Sequence, residues 1–250
     1  MNLAGKVAIV TGGAQGLGRA TAEAFAAADA LGVIIADLQA DQAEATAQEI
    51  MHAQKGQVVA LPTDVCNPSQ VEAMVQAAAS RFGRIDILVN NAGMCPIADW
   101  DSVTLEDWNR ILAVNVTGMF LCTKAVIPHM KLQKYGRIVY VSSPAGRVGS
   151  IIANVAYGVS KGGCLALMKS VAKGFAKHGI LANAILPGPI DTPLSRSFGQ
   201  DFWDSQEERP LLKRHASAKE VADAVLFLVS DRSTYITGHE LWVDGGWSLG

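Results

Sequence analysis

Short apolar runs alternate with longer helix-forming segments along the chain, and this alternation restricts the fold more than any other feature of the sequence. Strands that alternate with helices predict βαβ units and a parallel sheet. Strands that are apolar almost throughout are typical of a sheet covered by helices on both faces. The predicted strands cover residues 7–10, 33–36, 58–61, 85–89, 137–141, 181–186 and 240–243, and the predicted helices cover residues 20–28, 40–54, 69–81, 105–130, 157–177 and 218–229.

The 250-residue chain has no internal repeat, low-complexity tract or linker, so the sequence predicts a single α/β domain over residues 1–250. Its net charge of -2 argues against nucleic acid as a partner, because nucleic-acid binding requires a concentrated basic surface. The N-terminus lacks the regions of a signal peptide, and no apolar run reaches the length of a membrane span. We therefore expect a cytoplasmic protein with no membrane partner.

The cysteine and histidine positions argue against a disulfide framework and a metal site. The cysteines are widely spaced, without a Cys-x-x-Cys pair, which favours reduced thiols. The histidines are scattered and form no ligand set, so the sequence predicts no bound metal. These residues are Cys66, Cys95, Cys122 and Cys164, and His52, His129, His178, His215 and His239.

A glycine-rich turn, residues 11–18, connects the first predicted strand to the first predicted helix. Glycine adopts backbone conformations that a side chain would forbid. The N-terminus of the following helix offers unpaired N–H groups and a positive dipole end to a phosphate. A turn in this context predicts a dinucleotide site formed by Gly12, Gln15, Gly16, Leu17 and Gly18.

Acidic residues after two predicted strands extend this site. Asp37 ends the second strand, where an acid accepts hydrogen bonds from ribose hydroxyls and repels a 2′-phosphate. No arginine or lysine precedes Gly16 in the turn, so the sequence favours NAD over NADP, with Leu38 in the same site. Asp64 and Val65 follow the third strand, where the adenine edge is expected to rest.

Tyr157 and Lys161 are four residues apart within a predicted helix. Side chains at positions i and i+4 of a helix are neighbours. A phenol and an ammonium therefore share one face, in a chain that also carries a dinucleotide-type turn. This combination predicts a proton-transfer site beside a redox cofactor.

From about residue 3 to residue 246, the chain resembles a classical short-chain dehydrogenase/reductase. Residues 11–18 resemble the cofactor turn of that family, and Asn115, Ser143, Tyr157 and Lys161 look like its catalytic tetrad. The resemblance implies a Rossmann-type, doubly wound parallel sheet of about seven strands with helices on both faces, and a homotetramer. It also implies cofactor contacts from Asn91, Ala92 and Gly93 after the fourth strand, and from Pro187, Gly188, Ile190 and Thr192 on the nicotinamide side.

The resemblance assigns a role to each member of the tetrad. A free tyrosine has a pKa of about 10, and a nearby ammonium such as Lys161 is expected to lower that pKa. By resemblance, Lys161 also holds the nicotinamide ribose, and Asn115 holds a water that links Lys161 to solvent. Tyr157 exchanges a proton with the substrate, and Ser143 hydrogen-bonds the substrate oxygen. The adjacent Ser142 remains an alternative for that serine.

The segment 187–210 is irregular and contains prolines and aromatic residues, which predicts a lid or substrate loop at about residues 189–212 that closes over the substrate. The expected substrate wall is mostly apolar and includes no evident arginine that would hold a carboxylate. The sequence therefore favours a neutral substrate that is hydrophobic or aromatic. The wall consists of Met94, Cys95, Ser143, Ile151, Ile152, Val155, Tyr157, Leu194, Phe198 and Trp203.

The leading hypothesis is an oxidoreductase that transfers a hydride between NAD(H) and a secondary alcohol or ketone, with that small molecule as its partner. One alternative is an enzyme like 3-oxoacyl-[acyl-carrier-protein] reductase, which usually uses NADPH and an acidic carrier. Asp37 and the near-neutral charge of the chain weigh against it. An alternative of another class is a non-catalytic nucleotide-binding or scaffold protein, which would not need Tyr157 together with Lys161.

Overall fold

The computed structural model describes residues 1–54, 56–150 and 154–249. Within these ranges lies a seven-stranded sheet in which neighbouring strands are parallel, as the sequence predicts. A second, two-stranded parallel sheet lies outside it. The strands in chain order are β1 (Val7–Thr11), β2 (Gly32–Asp37), β3 (Gln57–Pro62), β4 (Ile87–Asn90), β5 (Gly136–Val141), β6 (Ile180–Pro187), β7 (Ile190–Asp191), β8 (Ala216–Ser217) and β9 (Glu240–Val243).

The strand order of the main sheet is β3-β2-β1-β4-β5-β6-β9, so the chain reverses its direction across the sheet between β1 and β4. At such a point the connections leave toward opposite faces, and the carboxyl ends of the two strands border a crevice. The doubly wound, Rossmann-type sheet implied by the family resemblance is confirmed.

Helices cover both faces of this sheet. They are α1 (Gly16–Ala27), α2 (Ala40–Ala53), α3 (Pro68–Phe82), α4 (Leu105–Leu112), α5 (Met119–Gln133), α6 (Ala145–Val148), α7 (Val155–Phe175), α8 (Pro193–Arg196), α9 (Gln200–Glu207) and α10 (Ala218–Val229). Alternate strand residues point to opposite faces, so that Ala8 and Val10 join a core with α1, α2 and α10. Val7 and Ile9 join a second core with α3, α5 and α7.

The single helix predicted over residues 105–130 is interrupted in the structure. A π-helical segment, Ala113–Gly118, separates α4 from α5. Such segments are rare and are frequently found at functional sites. Gly118 allows this one to approach the loop after β3, because a Cβ there would lie 2.7 Å from Val65 Cγ2. The apolar spacing is helical on both sides, so hydrophobic periodicity alone does not reveal the interruption.

The same region, Leu105–Gln133, is long enough to span a membrane, and it contains a stretch of 18 residues with a mean hydropathy of 1.6. The sequence-based expectation that no apolar segment is long enough to span a membrane is therefore wrong, as judged by length and composition. The apolar residues are accounted for by the second core, in which Met119, Cys122, Val126 and Met130 are buried.

The predicted lid segment contains short elements that the sequence did not predict, namely β7, α8 and α9, and β7 pairs with β8, which lies just beyond the segment. Thr192 caps α8 by accepting a hydrogen bond from the Ser195 backbone N–H at 3.3 Å. The closing movement stays a prediction. Elsewhere the boundaries differ by a few residues: α1 begins at Gly16 instead of residue 20, and β4 begins at Ile87 instead of residue 85.

The glycine-rich turn brings α1 into close contact with the end of β1. Gly12 and Gly16 have positive φ angles of 64° and 56°, which glycine adopts without strain. A Cβ at Gly18 would lie 2.0 Å from the Gly12 carbonyl oxygen and 2.7 Å from Asn91 Nδ2. Gly18 therefore permits the close packing of this helix on its strand.

We expect Gly18→Ala to destabilise the protein, because the added methyl group would meet backbone atoms rather than a flexible side chain. Overpacking of this kind costs about 1–3 kcal/mol. Gly174→Ala is the control, since Gly174 is an exposed residue of α7 with open space around the added Cβ. Urea unfolding should give a lower free energy of unfolding for Gly18→Ala and an equal or higher one for Gly174→Ala. A wild-type value for Gly18→Ala would contradict the close packing.

Candidate active site

A cleft of about 1220 Å³ lies at the carboxyl edge of the sheet, where the strand order reverses. It brings together residues that are far apart in the sequence, from the glycine-rich turn to the segment after β6. The predicted site residues that line it are Gly12, Gln15, Gly16, Leu17, Asp37, Leu38, Asp64, Val65, Asn91, Ala92, Gly93, Met94, Cys95, Ser143, Tyr157, Lys161, Pro187, Gly188, Ile190, Thr192, Leu194, Phe198 and Trp203.

Three of the predicted site residues that the structure describes are not part of this lining. Gly18 packs α1 on β1, Asn115 is fully buried behind the cleft wall, and Val155 is the half-buried first residue of α7. Ile151 and Ile152 lie outside the described residues. Gly18 has this packing role in the structure, and its expected part in the cofactor site stays a prediction.

Asn91 ties the glycine-rich turn to the end of β4. Its Nδ2 donates to the carbonyl oxygens of Thr11 and Gly12, both at 2.9 Å. The turn is thereby held so that the first turn of α1 faces the cleft, where the backbone N–H groups have no helical partner. With the positive end of the helix dipole, this arrangement suits a pyrophosphate.

Asp37 lies at the carboxyl end of β2 and is 8 % exposed. One oxygen, Oδ2, accepts from the Ala14 backbone N–H at 2.9 Å, and Oδ1 accepts from the Gln39 backbone N–H at 3.0 Å. A carboxylate has about four lone-pair sites, so it can accept further hydrogen bonds from the cleft. The lining residues beside it in the sequence and in the turn, Leu38, Gln39 and Gln15, carry no charge.

Tyr157 and Lys161 lie on one face of α7 and both line the cleft. The Lys161 ammonium donates to the Val141 carbonyl oxygen at 2.8 Å and lies 5.6 Å from the centre of the Tyr157 ring. Burial raises the pKa of Tyr157 and lowers the pKa of Lys161, because desolvation disfavours both charged forms. The expectation that Lys161 lowers the pKa of Tyr157 is therefore wrong for this geometry, in which desolvation dominates.

The two adjacent serines after β5 have different partners. Ser142 donates its hydroxyl to the Lys161 carbonyl oxygen at 2.9 Å and fixes β5 to α7. The Ser143 side chain lines the cleft, and its interaction with the Tyr157 phenol opposes the rise in the pKa of Tyr157. The geometry thus pairs Ser143, rather than Ser142, with the tyrosine.

Asn115 occupies the π-helical segment and is fully buried. Its Oδ1 accepts from the Met94 backbone N–H at 2.9 Å, and its Nδ2 donates to the Met94 carbonyl at 2.9 Å and to Ser160 Oγ at 3.0 Å. Both amide hydrogens are thus engaged, and only a lone pair of Oδ1 remains for the expected water. The side chain therefore fixes the cleft wall at Met94 to α7.

The substrate end of the cleft is largely apolar, as predicted, and includes Met94, Cys95 and Phe198. Burial raises the pKa of the Cys95 thiol to about 12, so this thiol is neutral at physiological pH. Trp203 of α9 stacks on His215 with 3.7 Å between the ring centres. This stack attaches α9 to the segment before β8.

Several lining residues were not predicted from the sequence, above all Arg209, whose guanidinium lies 4.2 Å from the centre of the Trp247 ring. The expectation of a wall without arginine is therefore wrong, and it no longer supports a neutral substrate. Neither residue belongs to a recognisable motif, and the chain separates them widely, so no sequence signal connects them. The other missed lining residues include Arg110, Val148, Phe202, Gln206 and His215.

Comparisons with known proteins agree with this fold. A family model described as "Enoyl-(Acyl carrier protein) reductase" matches residues 12–248. The 3-oxoacyl-[acyl-carrier-protein] reductase FabG of Thermotoga maritima is 36 % identical over 246 residues, which cover 98 % of this chain and 99 % of that protein. The 2-(R)-hydroxypropyl-CoM dehydrogenase of Xanthobacter autotrophicus is 39 % identical over 249 residues, which cover 97 % of this chain and 98 % of that protein.

A crystal structure of a short-chain type dehydrogenase/reductase from Mycobacterium marinum matches with a TM-score of 0.95 at 33 % identity, covering 100 % of this chain and 98 % of that chain. The chain therefore belongs to the short-chain dehydrogenase/reductase family. It is an oxidoreductase of that family, whose members use nicotinamide cofactors.

We expect Asn115→Ala to lower the free energy of unfolding, because it leaves backbone groups of Met94 without their partner. An unsatisfied buried polar group costs about 1–3 kcal/mol. The control is Asn109→Ala on the exposed face of α4, where surface substitutions change stability by about 0.5 kcal/mol or less. Urea unfolding of both variants tests this role. A loss no larger than that of Asn109→Ala would show that Asn115 does not hold the wall.

Proposed function

We propose that the protein catalyses reversible hydride transfer between NAD(H) and a secondary alcohol or ketone with an apolar body. The observation that carries this proposal is the convergence of Ser143, Tyr157 and the Lys161 ammonium on one cleft beside the N-terminus of α1. A binding-only protein would not require this buried, proton-exchanging group. The decisive experiment is a panel of ketones and alcohols assayed with NAD(H) and with NADP(H).

The residues of the cleft fit a dinucleotide. Gly12 and Gly16 have positive φ angles, and both line the cleft at the start of α1. This turn would hold the pyrophosphate, Asp37 the adenosine ribose, and Lys161 the nicotinamide ribose. When bound, the nicotinamide supplies or accepts the hydride.

The remaining chemistry belongs to side chains of this protein. In ketone reduction, Tyr157 donates its phenolic proton to the substrate oxygen as that oxygen gains charge, and in alcohol oxidation the phenolate accepts it. Ser143 hydrogen-bonds the same oxygen and stabilises its developing charge. The Lys161 ammonium is held in place by the Val141 carbonyl and stabilises the phenolate that remains after proton donation.

A second candidate function is the reduction of a 3-oxoacyl thioester on an acyl carrier protein. It is supported by relatives that carry this name, among them the Thermotoga protein at 36 % identity. Asp37 weighs against it if NADPH is the donor, since no basic side chain lies beside that carboxylate in the cleft lining of the described residues. Faster turnover of a carrier-linked thioester with NADPH than of free ketones with NADH would favour this second function.

The homotetramer and the cytoplasmic location also remain predictions.

Activity should depend on pH through Tyr157. Burial raises its pKa, so the phenol stays protonated near neutral pH and the phenolate fraction grows with rising pH. We expect kcat/KM for alcohol oxidation to increase by up to about tenfold per pH unit between about pH 6 and 9, and kcat/KM for ketone reduction to stay level. An oxidation rate that falls with rising pH in this range would contradict the role of the tyrosine.

Tyr157→Phe should lower kcat in both directions by about 10²-fold or more, because it removes the proton donor. Tyr235→Phe is the matched control, since Tyr235 is fully exposed and distant from the cleft lining. Steady-state kinetics of both variants, with NADH titrated by fluorescence to check binding, tests the assignment. Retention of more than about a tenth of wild-type kcat in Tyr157→Phe would refute it.

Cofactor preference should follow from Asp37. We expect kcat/KM for NAD(H) to exceed that for NADP(H) by about tenfold or more, because a 2′-phosphate would meet the carboxylate without a compensating base. Asp37→Ala should narrow this gap, mainly by weakening NAD(H), whereas Asp41→Ala, an exposed acid of α2, should not. Equal or better use of NADP(H) by the wild type would overturn the preference for NAD.

A further inference from the structure

The substrate end of the cleft carries a positive charge without an acidic partner. Arg209 follows α9, is exposed and lines the cleft. Two neighbouring arginines are paired: Arg196 binds Asp191 through two hydrogen bonds of 2.6 Å, and Arg214 binds Glu220 at 2.7 and 2.9 Å. Within the described part of the chain, Arg209 has the Trp247 ring as its partner and no carboxylate.

The acidic residues of the cleft lie at its other end. Among the described residues, Asp37 and Asp64 are the acids of the lining, and both follow strands on the cofactor side of the sheet, β2 and β3. The substrate end therefore presents a guanidinium and an apolar wall with no neutralising carboxylate. A charge of this kind on a cleft wall favours an anionic ligand.

Trp247 holds the guanidinium in position. The ring lies 4.2 Å from the guanidinium carbon of Arg209, within the range of a cation–π contact. Its Nε1 is buried and has no acceptor among the described residues. Protein atoms cover this N–H group, so the pair presents the exposed guanidinium of Arg209 to the cleft.

The backbone connects this pair to the nicotinamide side of the site. The backbone N–H of Trp247 donates to the Asp244 carbonyl oxygen at 3.0 Å. A Cβ at Gly188 would lie 2.8 Å from Asp244 Cα. A Cβ at Gly245 would lie 3.4 Å from the Cβ of Pro210, the residue after Arg209. The two segments that carry Arg209 and Trp247 are thus packed together beside Gly188.

We propose that Arg209 and Trp247 form a binding subsite for a carboxylate group of the substrate, which makes the substrate an oxo acid or hydroxy acid with an apolar body. The inference rests on the proposed function for the position of the reacting oxygen. The planar guanidinium fork matches a carboxylate with two parallel hydrogen bonds. Stacking on Trp247 orients the fork before binding, so less freedom is lost when the acid arrives.

The test compares oxo acids of increasing chain length with their primary amides, which have the same shape and no charge. For the wild type, kcat/KM with NADH should be about tenfold or more higher for the best acid than for its amide. In Arg209→Gln this acid-to-amide ratio should fall by about tenfold or more, chiefly through KM for the acid, since a bound charge contact is lost. Arg209→Lys should restore part of the ratio, because it keeps the charge without the planar fork.

Arg232→Gln is the matched control, because Arg232 is an exposed arginine remote from the cleft lining. It should leave the acid-to-amide ratio at the wild-type value. The inference is overturned if the wild type prefers the amide, or if Arg209→Gln lowers acid and amide by the same factor, as a packing role on Trp247 would require. It is also overturned if Arg209→Gln affects only thioesters carried by an acyl carrier protein, since the charge would then serve a protein partner.

A binding measurement separates this inference from the proposed function. Calorimetric titration of the wild type and Arg209→Gln with non-reducible alkanoates and their amides, with NADH present, requires no turnover. Arg209-dependent and salt-sensitive binding of the acid supports the subsite even if no ketone or alcohol reacts, in which case the proposed function alone fails. Equal affinity of the two proteins for the acid removes the subsite, whatever the outcome of the kinetic assays.

Discussion

The close contact between α1 and the end of β1 is the constraint on which the cofactor end of the cleft depends. A side chain at Gly18 would occupy the position of the Gly12 carbonyl oxygen, 2.0 Å from its Cβ. Asn91 donates to that carbonyl and to the one before it, and thus joins α1, β1 and β4. Because these contacts with Gly18 and Asn91 hold the turn in place, the N-terminus of α1 faces the crevice.

A second contact sets the proton-transfer end, where α7 is joined to β5 and α6. Ser142 donates to the Lys161 carbonyl, and a Cβ at Gly146 would lie 2.6 Å from the Lys161 carbonyl carbon. The Lys161 ammonium then reaches the Val141 carbonyl. Burial of this whole arrangement keeps the Tyr157 phenol protonated, which suits a group that must give a proton to a ketone.

The two ends of the cleft differ in how they are built. The cofactor end consists of strand ends and a helix start, which the sheet fixes directly. The substrate end consists of short elements after β6 and of the segment after β9, joined by side-chain contacts such as Trp203 on His215 and Arg209 on Trp247. Relatives with different named activities match this chain over nearly its whole length, so the fold alone does not set the substrate.

The sequence by itself determined the parallel sheet, the glycine-rich turn and the pairing of Tyr157 with Lys161. These features depend on local periodicity and on short spacings, which a chain displays before it folds. Tertiary structure alone decided the π-helical segment around Asn115, the packing role of Gly18 and the rise in the pKa of Tyr157. It also brought Arg209 onto Trp247 in the cleft. Desolvation and contacts between distant segments exist only after the core has formed, so no pattern along the chain encodes them in readable form.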